Sequence, residues 1–234
     1  MSTIDIVAGA AFIACWLVYE PLMARLIGGP GAINVDMQAV REAWLRRLVA
    51  RDNRIADSNL IGHHVSSASF FASTNLLIIA AAAGLLFGGE RALAQAEDLA
   101  VVAHVPVWLF QVKVALVVAM LTFGLLEFIW AIRQLNYTVT LMGAAPERDD
   151  VEHHEAFVRA AARVINPAYT AFNRGVRYYY FTLAAAAWLI SPWAMLAAAV
   201  AAFALLARRQ TRSDAALGVR EARRILEAMQ RRED

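Results

Sequence analysis

The chain has little of what builds a secreted or a catalytic scaffold. Its 234 residues include a single cysteine, Cys15, and six prolines. One thiol excludes a disulfide framework and any CxxC or zinc-finger spacing. No GxGxxG, P-loop, GxSxG, HxxxH or HExxH occurs anywhere in the sequence. Dinucleotide, nucleoside-triphosphate, hydrolase and zincin chemistries therefore lack their residues, and no enzyme and no cofactor is expected. Lysine is nearly absent: Lys113 is alone among arginines. Charge is sparse as well, at 18% of residues, with a formal net charge of +2. Clustered arginine beside apolar runs reports membrane topology, so no nucleic-acid partner is expected.

Apolar residues are abundant. They make up 60% of the chain, and the mean hydropathy is +0.49, well beyond the usage of a soluble domain. The expected fold class is all-α, a polytopic transmembrane helical bundle with amphipathic helices on its cytoplasmic face. Its organisation is read as one integral membrane domain over residues 1–207 and a basic cytoplasmic helical tail over 208–234. The lipid bilayer is the first partner implied.

Residues 105–146 are the centre of that bundle. The run is long enough to cross a bilayer, yet it contains Lys113 and Glu127 and ends on Arg133, Gln134 and Asn136. Ionisable groups persist inside hydrocarbon only where a partner or water offsets their desolvation. A first span runs from about Ile4 to Leu26. FIAC, ending on Cys15, is similar to a lipoprotein cleavage site, but no basic segment precedes it and the apolar run continues, so a retained span is expected. Gly28-Gly29-Pro30-Gly31 ends that helix. Residues 36–56 show helical spacing of Met37, Val40, Trp44, Leu48 and Ile55, with Arg41, Arg46, Arg47, Arg51 and Arg54 largely on the other faces. The spacing predicts a surface helix. Asp57 or Ser58 then caps a second span that enters near Ser66 and leaves near Phe87, with Asn75 inside. Residues 89–106 read as a short acidic loop. Asp149 and Asp150 cap a second amphipathic helix, broken at Asn166-Pro167.

The last apolar run, 178–207, is interrupted by Ser191-Pro192. The positive-inside rule puts the N-terminus outside and both long loops in the cytoplasm of the inner membrane. One fourth span would then strand eight tail arginines, Arg208 to Arg232, outside. A hairpin of two helices of ~13–15 residues, a length typical of re-entrant pieces, keeps them inside. The rival is a single long Pro-kinked helix.

Depth along the helices groups the polar residues. Glu20, Asn75 and Glu127 each lie ~9–12 Å from the cytoplasmic end of their spans, at 1.5 Å per residue. Arg133, Gln134 and Asn136 stand at the mouth of that layer, with Arg25, Arg174 and Arg177 near enough to join. The layer reads either as a cation or proton site or as Glu–Arg pairing that pins helices together. Lys113 is an outer charge, ~21 Å from Glu127 on the same helix; it either snorkels outward or forms a ring in an oligomer. His63-His64 and His153-His154 are a distant metal alternative, because adjacent helical residues point ~100° apart and chelate poorly.

Three blocks have a familiar form: SASFFASTNLLIIA, LLEFIWAIRQLNYTVTLMGAAP and FNRGVRYYYFTLAAAAWLISPW followed by LLARR. They resemble the bacterial domain-of-unknown-function 599 membrane proteins over about residues 20–212. The stretch from Phe128 to Pro146 is the most specific part. The resemblance implies a multi-span inner-membrane protein and carries no activity with it. Two functions fit the residues. One is an oligomeric ion channel or transporter using the Glu20/Asn75/Glu127 layer. The other is a non-transporting accessory or scaffold subunit docked through its amphipathic helices and tail. Both imply a homo-oligomer or other membrane subunits.

Overall fold

The computed structural model describes residues 2–27, 33–98 and 105–233. Among them the chain is helical throughout, in the order α1 (Thr3–Ile27), α2 (Ile33–Val49), α3 (Ile55–Phe87), α4 (Gly89–Asp98), α5 (Val107–Gly143), α6 (Val151–Ala187), α7 (Pro192–Thr211) and α8 (Asp214–Glu233). Helices α1, α3, α5 and the stretch that begins with α7 are long and apolar enough to cross a membrane. The glycine-rich stretch after α1, assigned from sequence as its stop, lies outside the described residues.

Helices start where short polar side chains can take orphan N–H groups. At α1, Ser2 and Asp5 form a reciprocal box: the Asp5 N–H donates to Ser2 Oγ at 3.2 Å, and the Ser2 N–H donates to Asp5 Oδ2 at 3.2 Å. At α7, Ser191 Oγ accepts the Ala194 N–H at 3.0 Å, and Pro192 takes the first helical position, where no N–H is needed. The start of α3 differs from expectation. Asn53 Oδ1 accepts the Ile55 N–H at 3.0 Å, whereas Asp57 is fully buried inside the first turn. There it accepts from Trp44 Nε1 at 2.6 Å and Arg51 Nη1 at 2.9 Å.

Two further expectations are corrected. Residues 89–98 form the helix α4 rather than a loop, because Ala92 and Leu93 on one face pack against Phe110 and Val114 of α5. Gly89, at φ +57°, provides the turn into it. Asn166-Pro167 does not break α6, which continues to Ala187. Proline deprives the residue four back of its donor. Here Pro167 and Arg163 are both exposed, so the freed carbonyl faces outward. The amphipathic helix and the first part of the final apolar run are thus one continuous helix of 37 residues, ~55 Å at 1.5 Å per residue and well beyond a ~30 Å hydrocarbon core.

The described chain gathers into two compact units. One comprises Met1–Met23, Phe71–Glu127 and Arg174–Ala207; the other comprises Ala24–Phe70, Phe128–Asn173 and Arg208–Asp234. The first is built on aromatic contacts. Phe12 meets Phe181 edge-on at 6.1 Å, and Trp16, Phe123 and Tyr178 form a triangle with ring centroids 6.0–6.1 Å apart. Large apolar side chains such as Leu17, Leu77 and Leu183 point outward instead, the pattern of a surface that lipid covers.

The same unit decides the path of the last apolar run. The rings of Phe181 and Phe203 lie 6.1 and 5.2 Å from that of Tyr19. A continuous helix would hold residues so spaced ~33 Å apart, so the chain reverses at Ser191-Pro192. The hairpin is not a shallow re-entrant piece. Trp188 at its tip bonds to Asp5 at the start of α1, and Arg174 lower down bonds to Glu20. From Arg174 to Trp188, α6 therefore runs antiparallel beside α1 over ~21 Å.

The second unit has an aliphatic core of Leu45, Leu48, Ile61, Leu135, Val158 and Ile165, with Trp44 and Tyr169 packed against it. The tail belongs to this unit: Arg223 of α8 donates to the fully buried Asp36 of α2 at 2.9 Å. Arg41 does not face solvent. It is buried, donates from Nε to Asn166 Oδ1 at 2.7 Å and lies 4.6 Å over the Tyr169 ring. Burial brings its guanidinium down to about 10. Burial likewise pushes the Tyr169 phenol up to about 12.

Candidate functional site

The polar residues of the first unit form two clusters at opposite ends of α1. At the C-terminal one, Glu20 accepts from Arg174 Nε at 2.9 Å and Nη2 at 2.6 Å, and from Arg177 Nη2 at 2.9 Å. The spacing of Arg174 and Arg177 on α6 turns both guanidiniums to one side, and each Glu20 oxygen is taken by one of them. Arg177 also lies 5.2 Å over the Tyr19 ring, which links the ion pair to the aromatic core. Glu127 of α5 has Arg174, Glu20 and Arg177 as its charged neighbours. Among the described residues no hydrogen bond or ion pair engages its carboxylate. The cluster thus holds two carboxylates and two guanidiniums, with both guanidiniums committed to Glu20. It is not sealed: the Glu20 and Arg174 side chains are 47% and 41% exposed.

Asn75 is brought near this cluster but is occupied differently. It is buried and donates from Nδ2 to the Leu121 carbonyl at 2.8 Å, and its Oδ1 has no partner among the described residues. Gly124, one turn before Glu127, makes this approach possible, since a Cβ there would lie 3.2 Å from Asn75 Nδ2 and 3.1 Å from the Tyr178 Cβ. Arg133, Gln134 and Asn136 belong to the second unit. Arg133 donates to the Tyr137 hydroxyl at 2.6 Å, Gln134 donates to the Trp130 carbonyl at 3.4 Å, and Asn136 is exposed with its carbonyl accepting from Thr140 at 3.2 Å. Their hydrogen bonds close along α5 itself. Arg25 is exposed and also lies in the second unit.

The cluster at the N-terminal end of α1 overturns the snorkelling reading of Lys113. Its side chain is 1% exposed, and Nζ lies 3.9 Å from Asp5 Oδ1 and 5.5 Å over the Trp188 ring. Asp5 also accepts from Trp188 Nε1 at 3.0 Å and from the Ser2 hydroxyl at 2.7 Å. One carboxylate thereby ties together the start of α1, the N-terminal part of α5 and the tip of the hairpin. Sequence reasoning missed Asp5. Two signals could have found it: the Ser2-x-x-Asp5 capping spacing, and a position near the N-terminal end of its span that matches the position of Lys113 in α5.

The histidines do not converge. His153 Nδ1 bonds to Asp150 at 2.6 Å, His154 Nε2 bonds to the Glu147 carbonyl at 2.9 Å, and the His64 ring stands edge-on to Tyr169 at 4.9 Å. His63 is exposed on α3. Among the described residues no group of three His, Cys, Asp or Glu could hold a metal ion.

No curated protein and no solved structure matches the chain. One family does match, over residues 7–215, and it is described as a protein of unknown function, DUF599. The matched range runs from within α1 to the start of α8 and includes the Glu20 cluster together with Lys113 and Trp188, though not Asp5, and the chain belongs to the DUF599 family.

Proposed function

We propose that the protein is an oligomeric inner-membrane protein that moves a proton or small cation past Glu127. Glu127 carries this reading: it is a carboxylate beside two guanidiniums that are both already committed to Glu20. A group so placed can gain and lose a proton or a cation without breaking the Glu20 pairs that hold α1 to α6. Charge this close to apolar helices needs cover, since lipid solvates ions poorly. The half-exposed face of Glu20 and Arg174 is where a second copy, with water held between the copies, would supply that cover.

The topology that suits this function has the N-terminus outside and the arginine-rich segments in the cytoplasm. The α6–α7 hairpin supports it by returning the chain to the side where α6 begins. Contact between Arg223 of the tail and Asp36 of α2 supports it as well, since both helices must then lie on one face of the membrane. The accessory-subunit reading draws on a different observation. Tail helix α8 leaves Leu217, Ile225 and Met229 exposed, an apolar stripe that a larger complex could use.

Ion flux into proteoliposomes tests the proposal. Glu127→Gln is expected to lower flux at least tenfold while leaving the helical content and the oligomer unchanged. Flux that Glu127→Gln leaves untouched, or its absence in the wild type under both proton and cation gradients, would favour the accessory role.

A further inference from the structure

We propose that the cleft between α2 and the first half of α6 binds a phosphorylated anion, presented either by an anionic phospholipid headgroup or by a soluble phosphate ester. The cleft lies wholly in the second unit, whereas the Glu20 cluster belongs to the first, and neither of the cleft's helices is among the apolar span candidates. Its volume is about 440 Å³, within the range of small-molecule sites and ample for a headgroup.

Charge and hydrogen-bond accounting indicates the ligand class. Arg46, Arg159 and Arg163 line the cleft, and Glu42 is the one carboxylate among its lining residues. Arg46 is held by Glu155 at 2.8 Å. Arg159 and Arg163 have no hydrogen-bond or ion-pair partner among the described residues. They stand one turn apart on the same side of α6, a like-charged pair that repels unless an anion lies between them. Guanidinium is also the group best matched to phosphate, which it can grip with two parallel N–H donors.

Asn166 supplies an independent observation. It lines the cleft, and its Oδ1 accepts from the buried Arg41 at 2.7 Å. That bond fixes the amide with its NH2 group available, so the cleft is offered a donor rather than an acceptor. Gln38 adds a further polar group, and the apolar side chains of Val158 and Ala162 lie below it. The resulting site has donors on one wall and an apolar floor, which suits a phosphate carried on a short carbon stem.

The test uses the full-length protein in phosphatidylcholine nanodiscs. In one arm a minority of the lipid is phosphatidic acid, and native mass spectrometry reads which lipid stays bound. In the other arm the discs are pure phosphatidylcholine, and calorimetry reads the binding of glycerol phosphate. Three variants are compared: Arg159→Gln/Arg163→Gln, Asn166→Asp and the exposed control Arg212→Gln. Asn166→Asp keeps and strengthens the contact to Arg41, so the fold is preserved while an anion is repelled. Each guanidinium removed is expected to weaken binding about tenfold, the ratio for one charge-assisted hydrogen bond. The control should bind as the wild type does. Retention of phosphatidic acid alone assigns the site to a lipid headgroup, and binding of glycerol phosphate assigns it to a soluble ester. Absence of any phosphate preference in both arms overturns the proposal. So does binding that persists unchanged in both the double variant and Asn166→Asp.

Discussion

The buried Asp5–Lys113 pair of the first unit predicts an asymmetric mutational response. Lys113 Nζ lies 3.9 Å from Asp5 Oδ1 with side chains 1% and 10% exposed, so solvent screens the pair little. At an effective dielectric of about 20 the attraction is about 4 kcal/mol, much of it offset by the desolvation of both ions. The two partners differ in what remains when the other is removed. In Lys113→Met, Asp5 keeps the Trp188 N–H, the Ser2 hydroxyl and the Ser2 N–H; the expected loss is about 1–2 kcal/mol. In Asp5→Asn, Lys113 keeps only the Trp188 ring among the described residues; an orphaned buried charge costs about 3–5 kcal/mol. The double variant removes both charges and should recover most of that, ending near Lys113→Met. At about 2–4 °C per kcal/mol for a chain of this size, Asp5→Asn should melt about 6–20 °C below the wild type and the double variant about 2–8 °C below it. Thermal unfolding in a mild detergent, followed by near-UV circular dichroism, provides the four corners of the cycle. Equal losses for the two single variants, or a double variant equal to their sum, would refute the reasoning.

Two other outcomes follow from the packing. A Cβ at Gly124 meets Tyr178 and Asn75 at 3.1–3.2 Å, whereas one at Gly84 meets nothing within 4 Å. Gly124→Val should therefore cost about 1–3 kcal/mol, seen as a lower melting temperature, while Gly84→Ala should be neutral or stabilising. With its phenol raised to about 12 by burial, Tyr169 stays neutral in the folded state at pH values where the unfolded chain already ionises it, above its ordinary value near 10. Its contribution to stability is full below about pH 10 and falls as the pH rises towards 12. Denaturation midpoints measured across that window should fall less steeply for Tyr169→Phe than for the wild type.

Much of the fold could be read directly from the sequence because bilayer physics acts locally. A run of about 20 apolar residues has few alternatives to a helix, and the bounds of α1 follow from residues 4–26 almost without context. Arginine asymmetry likewise favoured a reversal at Ser191-Pro192, which the meeting of Phe181 and Phe203 on Tyr19 bears out. Where helices end inside the polar stretches was less legible. Pro167 reads as a breaker because proline removes a donor, but an outward-facing freed carbonyl costs α6 little. The acidic stretch after Phe87 reads as a loop, because its two apolar side chains gain meaning only once Phe110 and Val114 are beside them.

The sequence by itself determined that this is an all-helical membrane chain, where its apolar helices lie, and that Glu20, Asn75 and Glu127 lie at similar depth in their spans. Depth is a one-dimensional property and can be counted along each helix. Partner choice is not, because it depends on how each helix is rotated about its axis and on which neighbour it meets. Tertiary structure alone decided that Arg174 and Arg177 both take Glu20 and leave Glu127 without a direct partner among the described residues. It also decided that Lys113 turns inward to Asp5 and Trp188 rather than outward to the interface, and that Arg41 is buried against Tyr169 while Arg159 and Arg163 are left side by side. An ionisable group near lipid must find compensation, and the sequence states that requirement without naming the group that meets it.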